Sequence, residues 1–256
     1  MQLEGKRTIV TGGASGIAAA TVLAYAREGA SVVSVDINDE AGQRIADEAN
    51  RLGSGKVTYR HLDISDQDAV NHVFDEAVTL LGGLDVLANI AGNEAQKPAE
   101  DVTAEDIDKI FNVHVKGMFF TNAAAYRAMQ AHGGSIINAS SGAGVTGYPG
   151  SPVYSAAKAA MLGYIRTVAF DWGDKLIRIN AILPAAETDM TKEHFGAMDP
   201  ETLARYKALY KSKIPLGGWL GTVEQIAAVN VFLASDASSF ITGQAIAVDG
   251  GWTMVR

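Results

Sequence analysis

Thr8-Ile9-Val10-Thr11-Gly12-Gly13-Ala14-Ser15-Gly16-Ile17-Ala18 runs from β-branched residues through a glycine turn into an alanine-rich stretch of helical pattern. A strand that turns on glycines into a helix brings free backbone amides and a helix amino terminus to one point, where a pyrophosphate can approach. The spacing is Gly12, Gly16, Ala18, which departs from the common G-x-G-x-x-G, and the same glycines serve equally as a plain strand-to-helix turn. Outward from this turn the alternation repeats. Strand-like runs at 7–11, 31–36, 57–61, 84–89, 135–139, 177–183 and 245–248 alternate with helical patterns at 15–28, 39–52, 66–81, 104–131, 153–172 and 222–234. Such alternation builds parallel βαβ units. The central runs IVTG, VLANIAG and IINAS are apolar almost without a break, as strands covered by helices on both faces are. The expectation is a single α/β domain over residues 1–256, a doubly wound sheet of seven parallel strands. The long stretch at 185–221 falls outside the rhythm and is expected to form an insertion, a lid over the sheet edge.

Composition narrows the function classes. Of 256 residues, 48% are hydrophobic and 20% charged, and no apolar run approaches the roughly 20 residues that cross a bilayer. The opening MQLEGKRTIVT shows no small-residue cleavage site, so the cytoplasm is the expected location. With no cysteine there is no thiol nucleophile, thiolate metal site or disulfide. Twenty-one basic against 29 acidic residues give a net charge of −8, which argues against a nucleic-acid partner. His61, His72, His114, His132 and His194 never fall at the i, i+4 spacing of a zinc-binding helix, so no metal site is expected.

Two further patterns carry chemistry. The run SVVSVDIN places Asp36 at the carboxyl end of the second strand, twenty residues after Gly16. A carboxylate there accepts from the 2′-hydroxyl of NAD and repels the 2′-phosphate of NADP, although an Asp after a strand also caps helices. Tyr154-Ser-Ala-Ala-Lys158 stacks a phenol and an ammonium on one helix face, and Ser141 in NASSGAG lies thirteen residues ahead of Tyr154. A phenol ionises near pH 10, so a proton relay at neutral pH needs that value brought down by about three pH units, which a nearby ammonium and a cationic nicotinamide favour.

In order and spacing, the glycine turn, Asp36, Ser141, Tyr154 and Lys158 resemble the short-chain dehydrogenase/reductase family in its short form, over essentially the whole chain. HLDIS with Asp63, Asn89-Ile-Ala-Gly92, FNVHVKG with Asn112, Asn180-Ala-Ile-Leu-Pro184 and the closing ITGQAIAVDGGW extend the likeness. The resemblance implies a Rossmann-type fold binding NAD. Tyr154 would be the general acid/base and Lys158 the partner of the nicotinamide ribose that depresses the tyrosine pKa. Ser141 would polarise the substrate oxygen, and Asn112 would hold a relay water near Lys158. Gly12, Ser15, Gly16 and Ile17 would meet the pyrophosphate, Asp63 and Ile64 the adenine, Asn89 and Gly92 the adenosine side, Pro184 the nicotinamide end, and Thr188 the carboxamide or a phosphate. For Asp63 the alternative is a helix cap, and for Asn112 a helix-kink asparagine. The chain departs from the family pattern at Ala18, Ile90 and Ala185.

The implied activity is an NAD(H)-dependent oxidoreductase acting on a secondary alcohol or ketone, with two alternatives. A 3-ketoacyl-(acyl carrier protein) reductase is disfavoured by the net charge and Asp36, and a non-catalytic nucleotide-binding protein by the complete catalytic set. Within 189–213, Lys192, Arg205, Lys207, Lys211 and Lys213 nearly balance Asp189, Glu193, Asp199 and Glu201, so no anion clamp is visible. Met190, Phe195 and Met198, with Val145, Tyr148 and Pro149, suit an apolar pocket for a neutral, hydrophobic, cyclic or aryl-substituted substrate. These residues could equally pack the insertion onto the body. Apolar residues on several faces of the two long helices, among them Met118, Phe119, Phe120, Met161, Leu162 and Phe170, together with the closing GGWTMVR, suggest interfaces, and the resemblance implies a homotetramer.

Overall fold

The computed structural model describes residues 1–94 and 96–254, apart from the side chains of Met190 and His194. The expectations placed on Met190, Val255 and Arg256 therefore lie outside the described residues. Seven strands, β1 (Arg7–Thr11), β2 (Ser31–Asp36), β3 (Val57–His61), β4 (Val86–Asn89), β5 (Gly134–Ala139), β6 (Ile177–Pro184) and β7 (Ala245–Val248), form one sheet in the order β3-β2-β1-β4-β5-β6-β7. Every pairing is parallel. The order reverses between β1 and β4, and in a doubly wound sheet the crevice at that reversal, beyond the carboxyl ends of the strands, is where ligands bind.

The helices cover both faces because the strands are apolar on both. On one face α1 (Gly16–Arg27), α2 (Asp39–Leu52) and α10 (Val223–Ala234) pack on Val10, Val32, Val86 and Ile137. On the other, α3 (Gln67–Leu81), α5 (Met118–Met129) and α7 (Pro152–Asp171) pack on Ile9, Val33, Leu87, Ile136 and Ile179. Each of these fully buried side chains contributes roughly 1.5–3 kcal/mol relative to exposure, which outweighs any local propensity. Two polar contacts set the axial position of α1, whose amino terminus faces the crevice. Asn230 Nδ2 donates to Thr21 Oγ1 at 2.9 Å, and the buried Tyr25 hydroxyl donates to the Asn230 carbonyl at 3.2 Å.

The helical stretch expected over 104–131 is not continuous. α4 (Ala104–Phe111), opened by a Thr103–Asp106 capping box, gives way to a π-helical turn at Asn112–Gly117 before α5 resumes. Thr121 Oγ1 donates back to the Gly117 and Met118 carbonyls, at 2.8 and 3.1 Å. A Cβ on Gly117 would come within 2.9 Å of the Ile64 side chain, so the wide turn closes on the loop after β3. Periodicity cannot register one inserted residue, and π-turns of this kind concentrate at functional sites.

The 185–221 stretch forms two helices, α8 (Asp189–Gly196) and α9 (Pro200–Lys213). Its ends are clasped by a bridge between Ala186 and Gly221. The insertion has a small core of its own, made by Phe195, Tyr210 and Ile214 with Met198, Tyr206, Trp219 and Trp252 against them.

Candidate active site

Two neighbouring hollows lie at the carboxyl edge of the sheet. The first, about 400 Å³, is lined by Gly12, Ser15, Gly16, Ile17, Asp36, Asp63, Ile64, Ile90, Gly92, Asn93 and Thr188, among others. Gly12 has φ +78°, and a Cβ there would sit 2.8 Å from the Ala91 Cα, so the turn packs against the loop after β4 only because the side chain is missing. At the amino terminus of α1 the exposed Ser15 makes no side-chain capping bond, and no acidic residue occupies the first turn. A helix amino terminus with no acidic residue in its first turn fits a pyrophosphate. Thr188, which caps α8, approaches the same turn, its Cγ2 3.6 Å from the Cβ position of Gly16.

Asp36 is half-buried, its Oδ2 accepting from the Ala14 N–H at 3.1 Å and its Oδ1 from the Asn38 N–H at 2.9 Å. Asn38, not Asp36, caps α2. The two amides orient the carboxylate and leave lone pairs toward the cleft. No Lys or Arg is among the described residues that line it. Asp63 likewise does not cap a helix. It accepts from Ser65 N and Oγ in a local turn, whereas Asp66 caps α3.

Asn89 differs from what its motif implies. Its Oδ1 accepts from Thr11 Oγ1, and its Nδ2 donates to Thr121 Oγ1 and Asn138 Oδ1, so its side chain ties β1, β4, β5 and α5 together beneath the cleft. The wall itself is made by Ile90, Ala91, Gly92 and Asn93.

The second hollow, about 180 Å³, is lined by Ser141, Tyr154, Tyr148, Pro184, Ala185, Glu94 and Trp252, among others. α7 begins with Pro152 in its first turn, which fixes the helix start so that Tyr154 opens on the hollow and Lys158 lies one turn deeper. Ala143 N–H donates to Ser141 Oγ at 3.1 Å, and Ser141 lies beside Tyr154 in the lining of the hollow. The buried Lys158 Nζ donates to the Ala139 carbonyl at 2.6 Å and sits 5.5 Å from the centre of the Tyr154 ring.

The expected depression of the phenol pKa by Lys158 is not what the protein's own groups produce. Burial pushes Tyr154 up to about 12, and Ser141 is the group that draws it down. Burial also lowers Lys158 to about 7, so its charge near neutrality is partial. Asn112 opens the π-helical turn, and its side chain makes no hydrogen bond among the described residues. The side chain that meets Tyr154 is His114, edge-on at 5.4 Å between ring centres.

The apolar residues expected around the substrate are mostly occupied elsewhere. Phe195 and Met198 belong to the core of the insertion, Val145 and Pro149 are exposed, and of the described members of that set Tyr148 lines the hollow. Trp252, expected at an interface, packs on Tyr210 of the insertion at 4.9 Å. The site roles of Glu94 and His114 escaped sequence reasoning: an isolated Glu in a loop and a His inside a helix carry no spacing signal, although Glu94 lies two residues after Gly92 and His114 inside FNVHVKG.

Residues 12–253 match the family model described as enoyl-(acyl carrier protein) reductase. The chain is 41% identical over 253 residues to the 3-oxoacyl-(acyl-carrier-protein) reductase FabG of Thermotoga maritima, covering 98% of this chain and 99% of that protein. It is 36% identical over 259 residues to the versicolorin reductase stcU of Emericella nidulans, covering 98% and 96%. Among solved structures, a 7α-hydroxysteroid dehydrogenase complexed with NADH and 7-oxo glycochenodeoxycholic acid superposes with a TM-score of 0.90 at 31% identity, covering 100% of this chain and 97% of that one.

Proposed function

Because the chain belongs to the short-chain dehydrogenase/reductase family of nicotinamide-dependent oxidoreductases acting on CH–OH groups, we propose that it interconverts a neutral secondary alcohol and its ketone using NAD(H). The observation that carries this reading is that Ser141 and Tyr154 line one hollow above the buried Lys158, beside a cleft that holds Asp36 and no lining cation among its described residues. Gly12, Ser15, Gly16, Ile17 and Thr188 hold the pyrophosphate side, Asp36 the adenosine ribose, Asp63 and Ile64 the adenine, and Pro184 borders the nicotinamide end. The nicotinamide, when bound, supplies or accepts the hydride.

The chain's own residues manage the proton. Ser141 and Tyr154 both direct hydroxyls at one substrate oxygen. With its pKa held high, Tyr154 is protonated at neutral pH and donates as the ketone is reduced, so reduction uses the resting form. Alcohol oxidation uses the ionised phenol and gains as pH rises. Lys158, fixed by the Ala139 carbonyl, keeps a polarising group beneath the phenol. Glu94 at the rim of the hollow disfavours anionic substrates, a rejection that an absence of basic residues alone would not provide.

Tyr154→Phe tests the reading. kcat is expected to fall by 10² or more, the size of a lost general acid/base, while NADH affinity by fluorescence stays within about twofold. A variant keeping more than a tenth of kcat overturns the assignment.

A second reading, reduction of 3-oxoacyl thioesters on acyl carrier protein, is favoured by the 41% identity to the Thermotoga reductase. The net charge of −8 repels an acidic carrier, and the Asp36 cleft disfavours NADP. Faster NADPH turnover of a 3-oxoacyl thioester than of any free ketone selects that reading instead. We further assign the 185–221 insertion as a substrate lid, the protein to the cytoplasm, and its assembly to a homotetramer. Phe170, 89% exposed on α7, and the Phe119–Tyr164 stack at 4.3 Å supply an outward aromatic surface.

A further inference from the structure

The π-helical turn at Asn112–Gly117 does more than interrupt a helix, because it turns the His114 side chain into the protein beside Tyr154. His114 is 3% exposed, and its ring meets the Tyr154 ring at 90°. Its Nε2 lies 2.6 Å from the Asn93 carbonyl oxygen and 3.2 Å from the Asn93 amide nitrogen. The 2.6 Å contact needs the proton on Nε2, which then donates to the carbonyl and cannot also accept from the Asn93 N–H at 3.2 Å, and Nδ1 is left as a buried acceptor with no partner among the described residues. Gly92 lies directly on the ring, in a space that any Cβ would fill with the imidazole Cε1. Burial and the charge of Lys158 hold the imidazole pKa down to about 3, so it is neutral across the working range.

One side chain thus joins three parts of the site. It touches Tyr154 on α7. It grips Asn93 in the loop that walls the cofactor cleft. Through Asn93 it also fixes the start of the segment whose next residue, Glu94, lines the substrate hollow. Asn112 makes none of these contacts. We propose that His114 is the positioning residue that completes the Ser141, Tyr154 and Lys158 group, its Nε2–H bond to Asn93 holding the Tyr154 ring and the cofactor loop in one reactive arrangement. The inference rests on the proposed dehydrogenase activity.

The test compares His114→Leu, His114→Gln and Asn112→Ala with wild type. Gln can place an amide nitrogen near the Nε2 position and restore the bond to the Asn93 carbonyl, whereas Leu fills space alone. His114→Leu is expected to lose at least tenfold in kcat with thermal unfolding near wild type, and His114→Gln to recover to within about threefold. The loss on Asn112→Ala is expected to be much the smaller. Wild-type kcat in His114→Leu, equal loss in the Leu and Gln variants, or a larger loss on Asn112→Ala overturns the proposal. Should Leu prove unstable, the Gln variant against wild type and a ¹⁵N spectrum decide. In nucleotide-free wild type the imidazole is expected to be the Nε2–H tautomer, with no titration above pH 5, and a ring titrating near the ordinary 6.5 refutes the arrangement. Wild-type turnover abolished by Tyr154→Phe would leave the function standing whichever way the His114 variants fall, so the two readings fail separately.

Discussion

Replacing Asp36 by Ala changes one charge at the site that is proposed to choose between the two nicotinamide dinucleotides. The carboxylate is oriented by Ala14 N–H at 3.1 Å and Asn38 N–H at 2.9 Å, with lone pairs left for a ribose hydroxyl. A hydrogen bond to a charged acceptor contributes about 1.5–3 kcal/mol, and half-burial of Asp36 favours the lower figure, or about tenfold in NAD affinity. A 2′-phosphate in the same place meets a like charge. Two unit charges 4 Å apart repel by about 1 kcal/mol in water and about 4 kcal/mol at a protein surface, so relief of repulsion is worth from about fivefold upward, and about tenfold at about 1.4 kcal/mol.

Wild type is therefore expected to prefer NAD by well over tenfold in kcat/KM. In Asp36→Ala, the NAD value should fall and the NADP value rise, moving their ratio by about a hundredfold. The assay is initial rates with both cofactors at saturating substrate, repeated at low salt and at 1 M salt, where screening over about 3 Å narrows the wild-type preference. A ratio that moves less than threefold in a folded Asp36→Ala, or a wild type equally efficient with both cofactors, refutes the argument.

Lys158→Met should lose activity yet gain stability in a pH-dependent way. The folded pKa of Lys158, about 7, lies below its ordinary 10.5, so the folded state loses stability as pH falls between them, and below pH 7 the cost is complete. The variant's Tm advantage, reflecting a few kcal/mol, is expected at pH 6–7 and should vanish toward pH 10; a constant offset would contradict burial of the ammonium. Glu94→Gln should raise kcat/KM for an anionic ketone severalfold over its matched neutral analogue, with NAD affinity unchanged, and no change in that ratio removes Glu94 from substrate selection. Light scattering at micromolar concentration is expected to give about four times the mass of one chain, and a single-chain mass would refute the tetramer.

The likeness of particular residues to the motifs of one family gave the sequence reading its reach. Gly12, Gly16 and Asp36 fall where strand ends meet helix starts, and strand and helix periods suffice to predict those junctions. The Tyr154–Lys158 pairing is equally local, since i, i+4 spacing on a helix brings the two to one face whatever the helix packs against. Neither the phenol's high pKa nor the ammonium's low one is local. Both arise from burial, which depends on β5, the Ala139 carbonyl and the loop carrying Ser141.

Asn89 and Asn112 mark the boundary of what a motif conveys. The motif places Asn89 at a strand end but cannot tell whether its side chain turns to the cleft or, as here, ties β1, β4, β5 and α5 together. In the segment after α4, one extra residue in the helical turn rotates every following side chain, so His114, forty residues from Tyr154, meets its ring edge-on. The insertion follows the same rule, because Phe195 and Met198 look like pocket residues until Tyr210, Trp219 and Trp252 arrive from elsewhere in the chain to cover them. Alone, the sequence determined the seven parallel strands alternating with helices, the glycine turn and the phenol–ammonium pair, because hydrophobic period and residue spacing are local properties. Only the tertiary structure decided which side chains meet Tyr154, what lines the substrate hollow and how far each titration shifts, because those depend on packing between segments distant in the chain.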